Sequence, residues 1–211
     1  MKPRPVKLSR LVEGGRISPM SPVVLISEKL GIRWLNMFDD EYVYGPTPGL
    51  IEVSDLLIKA FKPRSLIDLF GGSGAVSKLA LRNGVRKIIY VDLYSEAAEL
   101  NLKDEKAVTI IRRDAFEFMR SGVKADVVIL DPPEELIPKA LKALLRFRGV
   151  FRKAALIWIG PIERSRRYAR ALRGKRMIRV LEAWGDSFAI LWKPGFGDRV
   201  YRVKSLSLIH I

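Results

Sequence analysis

The 211-residue chain has no cysteine, and its single histidine, His210, sits next to the C-terminus. Without a thiol there are no disulfides, Cys-ligated zinc sites, iron–sulfur clusters or thiolate nucleophiles. One histidine at a chain end argues against a His-based triad or a His-ligated metal site, so no metal is expected. Glutamine is missing altogether, and asparagine occurs only at Asn36, Asn83 and Asn101. Depletion of Cys and Gln beside abundant arginine hints at a thermophilic source. Long apolar runs are also lacking, since none approaches the roughly 18 residues a membrane span needs. The N-terminal MKPRPVKLSRLVEGGR carries charge but no apolar signal-peptide core. The expectation is a cytoplasmic protein with no membrane partner.

What is present is enough for one full core. Hydrophobic residues make up 48% of the chain and mean hydropathy is +0.07, which excludes a disordered chain. The charge is lopsided. Residues 1–135 hold 20 basic and 19 acidic side chains, whereas residues 136–211 hold 18 basic and 4 acidic. Almost the whole net charge of +15 therefore falls in the last third, the pattern of a surface for a polyanion.

From Ser65 onward, strand-like and helix-like segments alternate with short connections, as in a parallel α/β sheet. The patterning predicts strands at Ser65–Phe70, Lys87–Leu93, Val108–Asp114, Ala125–Asp131 and Ala154–Gly160. Helices are expected at Ala75–Asn83, Ser95–Leu102, Glu134–Phe147 and Glu163–Leu172. Met177–Trp184 and Ser187–Lys193 read as a closing antiparallel hairpin around Gly185-Asp186. Continuous apolar runs such as VVIL and ALIWI suit strands covered on both faces. Upstream, Gly49–Phe61 is an amphipathic helix candidate. Val23–Ser27, Ile32–Met37 and Tyr42–Tyr44 read as short strands, broken by Gly31 and by Asp39-Asp40-Glu41. The expected division is a small β-rich extension, residues 1–47, before a main domain, residues 48–211.

Ser65–Asn83, SLIDLFGGSGAVSKLALRN, is the most informative stretch. A buried strand ends in Asp68-Leu69-Phe70, and Gly71-Gly72-Ser73-Gly74 turns into a helix. Glycines there permit unusual dihedrals and a close ligand, and the helix N-terminus suits a carboxylate. The dinucleotide fingerprint would need a third glycine at position 77, which is Ser77. Three further strands then end at or near Asp92, Asp114 and Asp131. Four strand-end aspartates in succession would meet at the sheet edge where open α/β folds bind ligands. Asp92 is placed to accept hydrogen bonds from ribose hydroxyls.

DLFGGSG, YVDL, RRDAF and LDPPE, in this order and spacing, resemble the motif series of class I S-adenosylmethionine-dependent methyltransferases. The resemblance covers roughly residues 49–193 and implies a Rossmann-like, seven-stranded, mostly parallel sheet with a C-terminal antiparallel hairpin. It implies that Asp68, Phe70 and Gly71, Gly72, Ser73 and Gly74 line the methionine part of S-adenosylmethionine. Asp92 with Leu93 would bind the ribose, and Asp114 with Ala115 would face the adenine.

Asp131-Pro132-Pro133 resembles the Asp/Asn-Pro-Pro-aromatic motif of enzymes that methylate base amino groups or glutamine. An exocyclic amine has a delocalised lone pair, so transfer depends on positioning and charge placement, not on a covalent nucleophile. A carboxylate and a carbonyl fixed by two prolines can hold its hydrogens. The motif departs at Glu134, where an aromatic ring normally stacks on the base. Phe38, Tyr44 and Tyr94 are candidates to supply the ring. Methylation at C5 of a pyrimidine uses a cysteine nucleophile, which this chain lacks. The first motif is most similar to that of bacterial small-subunit ribosomal-RNA guanine-N2 methyltransferases.

Between Lys139 and Arg179 there are 14 Lys/Arg and one acid, Glu163. Arg164, Arg166, Arg167, Arg170 and Arg173 crowd one helix candidate without acidic i+4 partners, and Lys175 and Arg176 follow. Arginine suits bidentate phosphate contacts, so these seven residues are the expected RNA-binding face. The resulting expectation is a methyltransferase acting on a base nitrogen of rRNA or tRNA, preferably an exocyclic amine. A protein methyltransferase and a catalytically silent RNA-binding protein of the same fold remain alternatives.

Overall fold

The computed structural model describes residues 4–6, 18, 20–37, 42–44 and 47–207. His210, Phe38 and the acidic run at 39–41 lie outside them, and Tyr44 is described as backbone only. Three short strands, β1 (Arg4–Val6), β2 (Trp34–Met37) and β3 (Tyr42–Tyr44), form an antiparallel sheet with β2 in the middle.

Between β1 and β2 the strand expected at Val23–Ser27 is a helix, α1 (Pro22–Leu30). The apolar run VVLI suggested a strand, but its boundaries decide otherwise. Pro22 occupies the first helical turn, and Gly31 closes the helix in the left-handed region at φ 67°. Val24, Ser27 and Leu30 are buried along one helical stripe, and Trp34 donates its indole N–H to Ser27 Oγ at 2.7 Å.

The main sheet has seven strands in the order β6-β5-β4-β7-β8-β10-β9. They are β4 (Ser65–Leu69), β5 (Lys87–Asp92), β6 (Val108–Arg112), β7 (Ala125–Leu130), β8 (Phe151–Pro161), β9 (Ile178–Ala183) and β10 (Asp186–Trp192). β4 through β8 pair in parallel, and β10 runs antiparallel between β8 and β9. The chain first winds outward from β4 to β6, then restarts at β7 on the other side of β4. The carboxyl ends of β4 and β7 thus flank the switch point at which open sheets bind ligands.

Alternation along the strands supplies two cores. Leu66, Ile88, Val127, Ile129, Leu156 and Ile190 face α2 (Pro48–Phe61) and α3 (Ala75–Arg82). Ile67, Leu69, Val128, Leu130, Ile157 and Leu191 face α5 (Ala115–Arg120) and α6 (Ile137–Arg146), with α7 (Ile162–Leu172) contributing Leu172. The strand residues are essentially inaccessible, so truncating Leu156 to Ala would cost about 2–5 kcal/mol. α4 (Glu96–Leu102) covers Tyr90 of β5 through Ala98 and Leu102.

The remaining departures from expectation have local causes. The helix expected at Glu134–Phe147 is a 3-10 turn at Glu134–Leu136 followed by α6, because Pro138 must lie in a first turn. α5 was not anticipated. It is one and a half turns long, started by Asp114, whose Oδ1 accepts the Glu117 N–H at 2.8 Å. α8 (Gly197–Ser207), also unanticipated, lies against α2 and buries Val200 and Val203. The hairpin turn is Trp184-Gly185, not Gly185-Asp186, since Asp186 already pairs with Ala183.

Candidate active site at the carboxyl edge of the sheet

A cavity of about 710 Å³ opens at the switch point, within the usual size range for small-ligand sites. Of the residues expected around a cofactor, Asp68, Phe70, Gly71, Gly72, Ser73, Asp92, Leu93, Asp114 and Ala115 line it. Asp131, Pro132 and Pro133 line it too. Gly74 does not.

The glycines of the first turn serve the fold as much as any ligand. A Cβ on Gly71 would lie 2.3 Å from the Tyr90 ring. Gly74 has φ 79°, and a Cβ there would meet Leu102 at 2.7 Å. The Tyr90 hydroxyl donates to the Gly72 carbonyl at 2.8 Å, and Asn101 Nδ2 donates to the Ser73 carbonyl at 2.9 Å. Phe70, between strand and loop, holds φ 58°, a strained setting for a bulky residue at the cavity wall.

The aspartates differ in environment. Asp68 Oδ2 accepts the backbone N–H of Ser77 at 3.1 Å and its hydroxyl at 2.7 Å, which ties the strand end to α3. Burial pushes its pKa up to about 7, against the Ser77 hydroxyl and with some help from the Asp131 charge. Asp92 accepts the Gly72 N–H at 3.0 Å on Oδ2 and the Tyr94 N–H at 2.9 Å on Oδ1. Burial raises its pKa as well, opposed by the Tyr94, Gly72 and Leu93 amides. Each Asp92 oxygen keeps a lone pair for another donor.

Asp131 is the least compensated. Among the described residues its side chain accepts a hydrogen bond only from the Thr47 hydroxyl, at the long distance of 3.5 Å. Burial, and then the Asp186 charge, push its pKa up to about 7. Asp186 is itself raised by burial and eased by the Trp158 indole. Trp158 Nε1 is buried without a hydrogen bond of normal geometry.

Thr47, Leu50, Ile51 and Trp158 complete the wall beside Asp131, and sequence reasoning did not single them out. Trp158 sits in ALIWI, indistinguishable there from a core strand, and the first turn of α2 is brought in only by tertiary packing. Tyr94 is at the rim, 41% exposed. Glu134 and Glu135 add two more carboxylates, and no Lys or Arg is among the described residues that line the cavity.

The arginine-rich segment lies apart from the lining. Ser165 and Leu172 of α7 point inward, while Arg164, Arg166, Arg167, Arg170, Arg173, Lys175 and Arg176 are all exposed. Two are engaged. Arg164 Nη1 donates to both Glu134 carboxylate oxygens, at 2.9 and 3.2 Å, so it has an acidic partner 30 positions away that i+4 spacing does not show. Arg167 lies over the Tyr168 ring, 4.6 Å from its centroid.

Solved structures share this fold. A methyltransferase from Geobacter sulfurreducens superimposes with a TM-score of 0.58 over 89% of this chain and 99% of its own, at 16% identity. A putative methyltransferase solved in complex with SAH gives 0.54 over 76% of this chain and 54% of its own, at 15% identity. At such identities the likeness establishes the fold, which is the Rossmann-like class I methyltransferase fold expected from the motif series. A "Ribosomal RNA large subunit methyltransferase I" from Aeromonas salmonicida is 28% identical over 134 residues, covering 58% of this chain and 33% of that protein. The chain thus spans about a third of the length of the curated relatives it matches over most residues. The family model described as Conserved hypothetical protein 95 matches residues 48–179, well over half of the chain, and the chain belongs to that family.

Proposed function

We propose that the protein transfers a methyl group from S-adenosylmethionine to a base nitrogen of RNA, preferably an exocyclic amine. One observation carries this reading. Asp68, Asp92, Asp114 and Asp131, each from a different strand end, meet in one cavity with the Asp131-Pro132-Pro133 segment at its wall.

The residues present fit the cofactor. Asp92 offers two anchored oxygens that would accept from ribose hydroxyls. Asp114 and Ala115, which line the cavity, would hold the adenine end, and Gly71–Ser73 with Asp68 and Phe70 would hold the methionine end. The cofactor supplies a methyl on a cationic sulfur, and a wall of carboxylates, of which among the described residues only Glu134 is paired with an arginine from outside the lining, suits that charge. Asp131 and the Pro132 carbonyl orient the acceptor amine, and the Asp131 carboxylate takes up the proton the amine sheds. Trp158, beside them, is an apolar wall for the base.

An acidic cavity repels phosphate, so only the base would enter. The seven exposed basic residues from Arg164 to Arg176 would hold the backbone outside. On this reading residues 48–211 carry the catalytic fold and residues 1–47 are appended. The large-subunit rRNA relatives favour rRNA over tRNA. Incubation with labelled S-adenosylmethionine and undermodified ribosomal RNA, followed by nucleoside analysis, should show label in an N-methylated base. Label in protein and not in RNA would reject the substrate class.

A further inference from the structure

The hairpin between β9 and β10 turns on two residues, Trp184 and Gly185, with φ 55° and 80°. A two-residue hairpin of this hand requires positive φ at both, which is why Asn-Gly is its favoured sequence. A tryptophan at the first position is disfavoured there and gains nothing from burial, because Trp184 is 61% exposed. Strain held at an exposed aromatic calls for a use of the ring.

The turn touches both halves of the proposed site. Gly49 of α2 packs under Ala183, where a Cβ would come within 2.8 Å of the Ala183 oxygen, and the next residues, Leu50 and Ile51, line the cavity. The Trp184 indole N–H donates to Glu52 on the same helix turn, which fixes the ring by its edge. On the other side, the Ile162 N–H donates to the Gly185 carbonyl at 2.9 Å and joins the turn to the first residue of α7, the arginine-bearing helix.

We infer that Trp184 is a stacking platform for an unpaired base of the RNA, next to the nucleotide whose base enters the cavity. This rests on the RNA reading above. A fixed, exposed indole face between a base-sized cavity and a phosphate-binding surface is what an unstacked neighbouring base requires.

Titration with a short single-stranded oligouridine tests it. Emission of the wild type should be quenched, and Trp184→Phe should lose that quenching while retaining most of the affinity. Trp184→Ala should bind the oligonucleotide about 10- to 100-fold more weakly, the range seen when a stacking aromatic is removed, with unchanged affinity for S-adenosylmethionine. Trp184→Asn should melt higher than wild type because it relieves the turn, yet lose RNA affinity like the alanine variant. A purely structural tryptophan would not separate those two readouts. If wild type methylates RNA and Trp184→Ala matches it in RNA affinity and KM, the inference is overturned alone. If wild type binds no RNA and methylates none, the RNA reading falls and takes this inference with it.

Discussion

The cavity at the carboxyl edge and the outer face of α7 are opposites built from the same sheet edge. The cavity gathers six carboxylates from Asp68 to Glu135, and desolvation pushes the pKa of two of them, buried Asp68 and half-buried Asp131, up to about 7. The α7 face and the loop after it carry seven exposed cations and bury only Ser165 and Leu172 of the helix. Charge taken out of water is costly and little screened, whereas exposed charge costs little and is screened beyond a Debye length. A ligand matching both regions must present an amine or cation inward and a polyanion outward. Glu134 and Arg164 join the two by a direct ion pair at 2.9 Å.

The contrast breaks hardest at Asp131. Asp131→Ala should lower the rate of methyl transfer by roughly two to four orders of magnitude, the range for positioned polar groups acting in a transition state. RNA affinity should change little, because the proposed phosphate contacts lie on α7 and the loop after it. Asp131→Asn keeps an acceptor oxygen and should retain more activity than Ala. Turnover of both variants at the wild-type rate would reduce Asp-Pro-Pro to a strand end.

Next in size is Asp92→Ala, which should weaken S-adenosylmethionine binding by about 1.5–3 kcal/mol, the range for charged hydrogen bonds. The Gly72 and Tyr94 amides lose their acceptor in the same variant. Calorimetry on the folded variant checks this, and unchanged affinity would displace the cofactor from the cavity.

Much of this was legible in the sequence because strand-end aspartates are polar interruptions of runs that are otherwise apolar throughout. Asp68, Asp92 and Asp131 stand at such interruptions, and Asp114 follows the Arg112-Arg113 pair just past its strand as the cap of α5. Val23–Ser27 misled because four apolar residues satisfy a buried strand and a short helix alike, and only Pro22 and Gly31 decide between them. Trp158, Thr47 and the Glu134–Arg164 pair were not legible. Each owes its place to strand register or helix docking across 30 or more positions, as with Thr47 and Asp131, 84 apart. Trp184 carried a local signal, a residue before glycine in a hairpin, but a turn misplaced by one residue hid it.

Protonation gives a subtler test of the acidic side. A carboxyl with a higher pKa folded than unfolded binds more protons in the folded state, so stability falls as pH rises between the two values. For Asp131 the window runs from 3.8 to about 7. Thermal melting of ligand-free Asp131→Asn should match wild type near about pH 4 and exceed it near about pH 8. The wild-type kcat/KM, which reports the free enzyme, should rise with pH through about 7 as Asp131 ionises, a limb the Asn variant should lack. A melting difference that does not depend on pH would mean that folding leaves the Asp131 pKa where it is in the unfolded chain.

The smallest effect concerns the basic face, and it reads charge alone. Arg166, Arg167 and Arg170 are exposed, and no ion pair engages them among the described residues. If they neutralise phosphates, each contributes to counterion release. Replacing all three with Ala should then flatten the dependence of log affinity on log salt by up to about 2 for a single strand. Replacing Arg167 alone should remove about a third of that change, its guanidinium being held over the Tyr168 ring. Cofactor affinity should stay at the wild-type value in all of these variants, because none of the three lines the cavity. Loss of cofactor binding in the triple variant would erase the division between an acidic interior and a basic exterior. A salt slope equal to wild type would move the RNA to another face of the molecule.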